Sequence, residues 1–175
     1  MILSSDEIKE RILNEKLIEN FIDLETQLQP ASFDLTLDEI YLIVSSASID
    51  FSNKERRLPN YKKIEFNNDW IELNKGIYLI TFNEIVNIPR DLLALVRPRS
   101  SLVRSGATIF SSLWDPGYCG KSNCLLVVLN ENGIKLKKNA RVAQMVFFKL
   151  SSITTKTYSG IYQNEGISNL KKNLK

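Results

Sequence analysis

A stretch in the middle of the chain carries the residue types that a phosphorylated ligand needs. Residues 99–106 read Arg-Ser-Ser-Leu-Val-Arg-Ser-Gly. Arginine offers a planar fork of donors that matches phosphate oxygens, serine is a small donor that lets the ligand come close, and glycine permits a backbone turn. This composition predicts a loop that binds a polyphosphate.

A single carboxylate follows this loop, at Asp115 in the sequence Asp-Pro-Gly-Tyr. A carboxylate repels bound phosphate, so its chemical use there is as a base that activates water or as a group held through a metal ion. A structural use is also open, because Pro116-Gly117 favours a type II turn. An aspartate before such a turn can bond to its own backbone.

The absence of histidine limits the possible chemistry. None of the 175 residues is a histidine, which excludes nucleophilic schemes that pair serine or cysteine with histidine. It also excludes the zinc deaminases whose metal ligands include histidine. A general base in this protein must therefore be an aspartate, a glutamate, a lysine or a tyrosine.

The length and composition predict one soluble globular domain. The chain has 175 residues, of which 43% are apolar and 25% are charged, and its formal net charge is +3. That charge is too small to indicate nucleic acid binding. No apolar run approaches the length of a membrane span, and the first residues are acidic where a secretory signal would be basic. These features predict a cytoplasmic protein that binds neither membrane nor nucleic acid.

The elements that must position these residues begin with a helix. Ser4 and Glu7 have the spacing of a capping box, and apolar residues then recur at helical intervals, which predicts a helix over residues 5–16. Alternating apolar residues predict strands over 32–37 and 40–45.

The rest of the chain predicts an all-β fold. Residues 46–64 are polar, with little periodicity, and predict a surface loop. From residue 64 onward, short segments rich in β-branched and aromatic residues alternate with turns that contain asparagine, glycine or proline. Strands without intervening helices indicate a mainly antiparallel barrel or sandwich. One predicted strand, residues 92–96, leads directly into residues 99–106, which are called the Arg99 loop, and would position them.

Four motifs resemble those of the dCTP deaminase and dUTPase superfamily. They occur in the family's order at residues 29–37, 99–104, 115–120 and 141–145. The chain layout is most similar to that of the archaeal-type dUTPases, which share the deaminase arrangement. The resemblance implies a single domain over residues 1–175, with the distorted β-barrel or jelly-roll of that superfamily and a short N-terminal helix. It also implies a homotrimer whose active sites lie between subunits.

The resemblance assigns contacts with dUTP to the first loop. It implies that Ser100 and Ser101 donate to phosphate oxygens and that Arg99 and Arg104 supply positive charge. The residues alone leave an alternative, which is the start of a helix with Ser100 as its N-cap and with solvated arginines. Both uses are compatible, since a capped helix N-terminus is itself an anion site.

The same resemblance assigns catalysis to Asp115. In dUTPases the matching aspartate orients and deprotonates a water that attacks the α-phosphorus, which releases dUMP and pyrophosphate. Tyr118 matches an aromatic residue that packs under the deoxyribose, and its alternative is an ordinary half-buried tyrosine in a hairpin. Mg²⁺ is expected on the substrate triphosphate, since the sequence shows no spaced cluster of ligands for a protein metal site.

Two further regions belong to the implied site. Gln144 matches a glutamine that contacts phosphate or fixes the water, and its alternative is a hydrogen bond to neighbouring backbone. Asp34 is expected to pair with a motif arginine. Residues 156–175 resemble the deaminase closing arm, in which Tyr158 or Tyr162 could cover the nucleotide, and its last eight residues predict a mobile or partly helical tail.

A deaminase is the first alternative to a dUTP diphosphatase. Deaminases use a glutamate on the strand after the aspartate, and this position falls at Leu125, or at Val127 if two additional residues in the turn are allowed for. Neither side chain can carry a proton, so deamination, alone or in a bifunctional enzyme, would need another carboxylate such as Glu131. Phosphate hydrolysis needs only the aspartate, which favours the diphosphatase.

A nucleotide-binding module without catalysis is the second alternative. In the arm, Ile161 replaces a lysine and Glu165 replaces a glutamine of the family pattern. Two phosphate partners are therefore missing, and a carboxylate has been added.

Overall fold

Residues 1–167 are described by a computed structural model, and the predicted tail lies outside the described residues. Within this range there are three helices and thirteen strands. The helices are α1 Ser5–Glu15, α2 Leu24–Gln27 and α3 Ser100–Arg104. The strands are β1 Ile18–Glu19, β2 Leu28–Gln29, β3 Ser32–Ile43, β4 Tyr61–Ile64, β5 Trp70–Leu73, β6 Gly76–Phe82, β7 Ile85–Asn87, β8 Leu92–Pro98, β9 Ala107–Phe110, β10 Cys119–Gly120, β11 Asn123–Val128, β12 Ile134–Lys137 and β13 Arg141–Lys149.

One large antiparallel sheet forms the body of the molecule. Its strand order is β8-β13-β3-β6-β11-β9, and β2 and β4 pair with β3 outside this path. The end strands β8 and β9 contact each other, so the sheet curves into a nearly closed barrel. The chain thus has the predicted all-β, mainly antiparallel fold with a short helix near the N-terminus. Two smaller sheets, β1-β7-β10 and β5-β12, extend it.

Large apolar side chains from the central strands fill the barrel. Phe33 on β3, Phe82 on β6 and Phe147 on β13 are each at most 1% exposed. Alternate residues along β6, β8, β11 and β13 are buried, because successive side chains of a strand point to opposite faces. Removal of these rings from water is the main favourable term in folding.

The N-terminal helix forms as its capping box predicts. The Ser4 hydroxyl accepts a hydrogen bond from the Glu7 N–H, and the Glu7 carboxylate accepts one from the Ser4 N–H over 2.9 Å. Two apolar residues, Ile8 and Ile12, turn toward the core. The Arg11 guanidinium and a carboxylate at the start of β8 form an ion pair, which ties the helix to the barrel. None of the helices within residues 1–167 has the length and apolar character needed to cross a membrane.

Two predictions for the region before β5 are corrected. The predicted strands over 32–37 and 40–45 are one strand, β3, whose register shifts once in its pairing with β13 and once in its pairing with β6. The predicted loop over 46–64 ends in a strand, β4, which pairs with residues 40–43. The residues of β4 are mostly charged or exposed and have no strand pattern of their own, and they form a strand because they pair with β3.

A buried aspartate links three parts of the barrel, as the sequence predicted for it. Asp34 on β3 is fully buried, and its Oδ2 atom lies 3.1 Å from Nε of Arg99 and 3.2 Å from Nη1 of Arg141. Burial raises the pKa of Asp34, whereas the two guanidinium groups lower it. Because Arg99 directly precedes α3, this ion pair fixes the start of the Arg99 loop against β3 and β13.

A second buried carboxylate lies at the start of β7. Glu84 is fully buried and accepts hydrogen bonds from the Thr36 N–H, the Thr36 hydroxyl and the Gln27 side-chain amide, over 2.9, 2.6 and 2.7 Å. Burial raises the pKa of Glu84 above its ordinary value of 4.5. The folded state therefore holds a proton on this group more tightly than the unfolded state does.

The pH dependence of stability should change when Glu84 is replaced. A carboxyl whose folded pKa is raised contributes stability that is present below pH 4.5 and is lost as the pH rises through the folded pKa. Glutamine does not titrate, so we expect Glu84→Gln to lack this loss of stability. The free energy of unfolding of the wild type should then fall relative to that of the variant as the pH increases, by about 1.4 kcal/mol for each unit by which the folded pKa is raised. Urea unfolding of both proteins at a series of pH values measures this difference.

Glu10→Gln, on the exposed surface of α1, is the matched control. Its difference from the wild type in free energy of unfolding should not narrow as the pH increases. A difference for Glu84→Gln that stays constant or widens with pH would contradict the argument.

Candidate active site

Backbone hydrogen bonds hold the segment from Trp114 to Lys121, called the 114–121 segment, at a fixed position. Trp114 exchanges two backbone hydrogen bonds with Ala94 on β8, of 3.0 and 3.1 Å. The Gly117 N–H donates to the Ile88 carbonyl over 2.7 Å, and β10 pairs with β7. The segment is mostly irregular, yet its backbone is anchored to neighbours on two sides.

Asp115 opens a tight turn within this segment. Its carbonyl accepts a hydrogen bond from the Tyr118 N–H over 3.1 Å, and Gly117 at the third position has a φ of 87°, as the predicted type II turn requires. The side chain is not used to close the turn, because within residues 1–167 the carboxylate has no hydrogen bond or ion pair. It is half-buried.

A cavity of about 740 Å³ lies beside the Asp115 carboxylate. This volume is in the range of small-molecule sites. Among residues 1–167, its lining includes two carboxylates, those of Asp115 and Glu165, and no lysine or arginine. Its aromatic lining residues are Tyr61, Trp114, Tyr118, Tyr158 and Tyr162. Four of the residues predicted for the site, one acidic and three aromatic, are therefore brought together here.

Residues 157–166, called the arm, close one side of this cavity. The Tyr158 N–H donates to the Pro116 carbonyl over 2.8 Å. The Gln163 side chain donates to the Gly117 carbonyl over 2.9 Å and accepts from the Cys119 N–H over 3.1 Å. Further backbone bonds join the arm to residues 119 and 121. The arm thus supplies the third set of partners for the 114–121 segment.

Hydrogen-bonded side chains connect the arm with the cavity floor. The Tyr118 hydroxyl donates to Oε1 of Glu165 over 3.2 Å and accepts from the Ser122 hydroxyl over 3.1 Å. Ser122 in turn accepts from the indole N–H of Trp114. Burial raises the pKa of Tyr118 and also that of Glu165. The Tyr158 ring meets the Tyr118 ring edge to face, with centroids 5.5 Å apart.

The structure puts the predicted phosphate-binding residues elsewhere on the same chain. Ser100, Ser101 and Arg104 are exposed on α3, and Arg99 is paired with Asp34. The alternative prediction of Ser100 as an N-cap is wrong, because the N-cap is residue 99 and Ser100 is already helical. None of these four predicted residues lines the 740 Å³ cavity.

Gln144 lies on β13, directly opposite Asp34 and Arg97 in neighbouring strands. Its side-chain amide donates to the Ser32 hydroxyl over 3.4 Å, so its partner in the structure is a side chain instead of the backbone expected in the simpler alternative. It is half-buried beside the base of the Arg99 loop and does not line the cavity.

The residues considered for deamination do not form a carboxylate site. Leu125 and Val127 lie on β11, opposite Leu79 and Ile77 of β6. Glu131 lies on the surface, where it pairs with a lysine over 2.5 Å. In the sequence, Glu165 is visible only as a departure from the family pattern. The contacts of Trp114 and Ser122 were not predicted, because an isolated residue in a sequence gives no sign of its contacts.

Most of the chain matches the profile of one protein family. The profile described as dCTP deaminase-like matches residues 2–150. The chain belongs to this family. The match covers the barrel and the 114–121 segment and ends before the arm.

Relatives of this dCTP deaminase-like chain include archaeal proteins of nearly the same length. A probable deoxyuridine 5′-triphosphate nucleotidohydrolase of Methanosarcina acetivorans is 51% identical over 166 residues, which cover 94% of this chain and 97% of the relative. The deoxyuridine 5′-triphosphate nucleotidohydrolase of Methanocaldococcus jannaschii is 38% identical over 157 residues, or 87% of this chain and 98% of the relative.

A solved structure of the family has the same fold. The 2′-deoxycytidine 5′-triphosphate deaminase of Agrobacterium tumefaciens superposes with a TM-score of 0.63 and 22% sequence identity, over 83% of this chain and 47% of that protein. At this identity the likeness concerns the fold alone.

The arm should detach when Gly117 is replaced by alanine. The φ of 87° at Gly117 favours glycine, and an added Cβ would lie 2.7 Å from Cβ of Thr157 in the arm. We expect Gly117→Ala to lower the free energy of unfolding by about 1–3 kcal/mol and to expose the arm to proteolysis. Limited proteolysis, with mass spectrometry of the fragments, measures how fast the arm is cleaved.

Gly133→Ala is the matched control, because Gly133 also has a positive φ and a crowded Cβ position, but in the turn before β12. Equal exposure of the arm in both variants would show that general destabilisation, and not the contact with Thr157, releases it.

Proposed function

We propose that the chain is a dUTP diphosphatase, which hydrolyses dUTP to dUMP and pyrophosphate. The observation that carries this proposal is the Asp115 carboxylate, which has no partner among residues 1–167 and lies on an anchored turn at the wall of an aromatic cavity. The names of the archaeal relatives, at up to 51% identity over most of the chain, support it.

Asp115 acts as the general base of this reaction. Its carboxylate takes a proton from a water while the water oxygen forms a bond to the α-phosphorus. The bond from the α-phosphorus to the oxygen that bridges to the β-phosphorus breaks, and pyrophosphate leaves with the bonding electrons. A positioned base of this kind contributes about 10²–10⁴-fold to the rate.

The aromatic side chains of the cavity hold the nucleoside. The Tyr118 ring packs under the deoxyribose, and Tyr158 and Tyr162 on the arm cover the nucleotide. Tyr118 is only 6% exposed and is bonded at its hydroxyl, so its ring can serve as a rigid wall. A rigid wall against C2′ leaves no room for a ribose hydroxyl.

The substrate is the magnesium complex of dUTP. Within residues 1–167, no group of three or more histidine, cysteine, aspartate or glutamate side chains could hold a metal ion. Oxygen is the donor type that Mg²⁺ accepts, and the described lining of the cavity offers it from Asp115, Glu165, Ser112 and Ser122, among others. Mg²⁺ bound to the triphosphate would neutralise charge on the leaving pyrophosphate.

A second copy of the chain completes the site in a homotrimer. A triphosphate needs cations, and the part of the cavity lining that residues 1–167 supply holds two carboxylates and no lysine or arginine. The Arg99 loop offers cations and hydroxyls on its exposed surface, away from the cavity of its own chain. We therefore assign phosphate binding to Arg99, Ser100, Ser101 and Arg104 of a neighbouring subunit, with Gln144 beside them.

Deamination of dCTP is less well supported. Residues 123–128, which form β11, contain no carboxylate, and Glu131 is paired on the surface. The remaining carboxylate of the cavity, Glu165, already accepts the hydroxyl of Tyr118. The archaeal relatives are named for hydrolysis of deoxyuridine triphosphate.

Replacement of Asp115 by asparagine should abolish hydrolysis. The amide has nearly the same shape but cannot take a proton, so we expect the rate of pyrophosphate release from dUTP and Mg²⁺ to fall at least about 100-fold. Asp69→Asn, at an exposed turn, is the control and should keep the wild-type rate. Near-equal rates for wild type and Asp115→Asn would remove Asp115 from the mechanism, and nucleotide binding without turnover in the wild type would indicate a binding module.

Co-expression of two inactive variants should restore activity. If Asp115 and Arg104 of different subunits meet in one site, a random mixture of Asp115→Asn and Arg104→Ala chains contains some intact sites. We expect about a quarter of the wild-type activity in such mixed trimers. The measurement is the rate of dUTP hydrolysis by the co-purified mixture. Activity no higher than that of the separate variants would show that both residues serve a site within one chain.

A further inference from the structure

The hydrogen bonds from Trp114 to Glu165 form a relay whose direction is set by its first member. An indole N–H can only donate, so the Ser122 hydroxyl must accept at that end. Ser122 therefore accepts from Trp114 and donates to the Tyr118 oxygen, and Tyr118 donates to Glu165. Each hydroxyl of the relay has one defined orientation.

The relay encloses the turn that carries Asp115. Trp114 directly precedes Asp115, Tyr118 closes the turn through its N–H, and Ser122 follows the segment. Trp114, Tyr118 and Ser122 are 4%, 6% and 7% exposed. Buried polar groups need partners, so loss of one bond of the relay would disturb the others.

Three members of the relay lie within residues 114–122, and the fourth, Glu165, lies on the arm. Glu165 belongs to the arm, where its carbonyl accepts from the Lys121 N–H over 2.9 Å and its side chain also accepts from the Asn123 amide over 3.4 Å. When the arm is docked, the Tyr118 hydroxyl has its acceptor. Without an acceptor at residue 165, that hydroxyl would lose this bond.

We propose that Glu165 is a positioning residue, which fixes the Tyr118 ring and, through Ser122, the indole of Trp114 when the arm is docked. This inference rests on the proposed function and deepens it, because the Tyr118 ring is the wall that would exclude ribonucleotides. Glu165 thereby controls the preference of the site for deoxyribose without touching the sugar. Glu165 has this effect through its side-chain oxygen, which accepts the hydrogen bond from the Tyr118 hydroxyl.

The test uses three variants of the full chain, Glu165→Ala, Glu165→Gln and Tyr118→Phe. Glu165→Ala removes the acceptor, and we expect KM for dUTP to rise and the preference for dUTP over UTP to fall, each by about three- to tenfold, with a smaller change in kcat. Glu165→Gln retains an acceptor oxygen and should restore most of both losses. Tyr118→Phe should lose the same preference, and the double variant with Glu165→Ala should lose little more.

Emission from Trp114 supplies a readout that needs no turnover. The sequence has two tryptophans, Trp70 and Trp114, so a Trp70→Phe background leaves the relay indole as the single reporter. We expect Glu165→Ala to shift this emission and Glu165→Gln to leave it close to the parent. Unchanged emission and unchanged preference in Glu165→Ala would overturn the inference, as would equal damage by alanine and glutamine. If the parent chain does not hydrolyse dUTP, the proposed function is overturned. The emission of Trp114 would still show whether Glu165 positions the indole.

Discussion

The 114–121 segment is held on three sides by hydrogen bonds from its own peptide groups, and the arrangement of the site depends on this constraint. Strand β8 bonds to Trp114, the region around β7 bonds to Gly117 and to β10, and the arm bonds to Pro116 and Lys121. Because its peptide groups are paired in this way, the turn does not depend on the side chain of Asp115. Within residues 1–167 that carboxylate has no hydrogen bond or ion pair, which is what the proposed role as a base requires.

The distribution of charge follows from the same arrangement. The cavity beside Asp115 carries acidic and aromatic groups, which suit a water and a nucleoside but repel phosphate. Cations are concentrated on the Arg99 loop, which Asp34 fastens to the barrel through a buried ion pair. The loop and the cavity lie apart in a single chain, and the proposed trimer would join them into one nucleotide site. Glu165 adds an acidic group to the cavity, where the hydroxyl of Tyr118 and an amide satisfy it.

Local patterns in the sequence were sufficient for some elements and not for others. The capping box of Ser4 and Glu7 and the Pro-Gly turn after Asp115 were predicted, because their partners lie within a few residues. Strand β4 was mistaken for a loop, because its exposed, charged residues become a strand only by pairing with β3. The bond between Tyr118 and Glu165 joins residues 47 positions apart, and no periodicity or motif spacing encodes such a contact.

The central claim is that Asp115 directs water at the α-phosphorus of dUTP, and isotope labelling tests it most directly. Hydrolysis of dUTP would be run in water enriched in ¹⁸O, and both products would be analysed by mass spectrometry. Attack at the α-phosphorus predicts one ¹⁸O atom in the phosphate of dUMP and none in pyrophosphate. Label in pyrophosphate, with unlabelled dUMP, would mean attack at the β-phosphorus and would contradict the account.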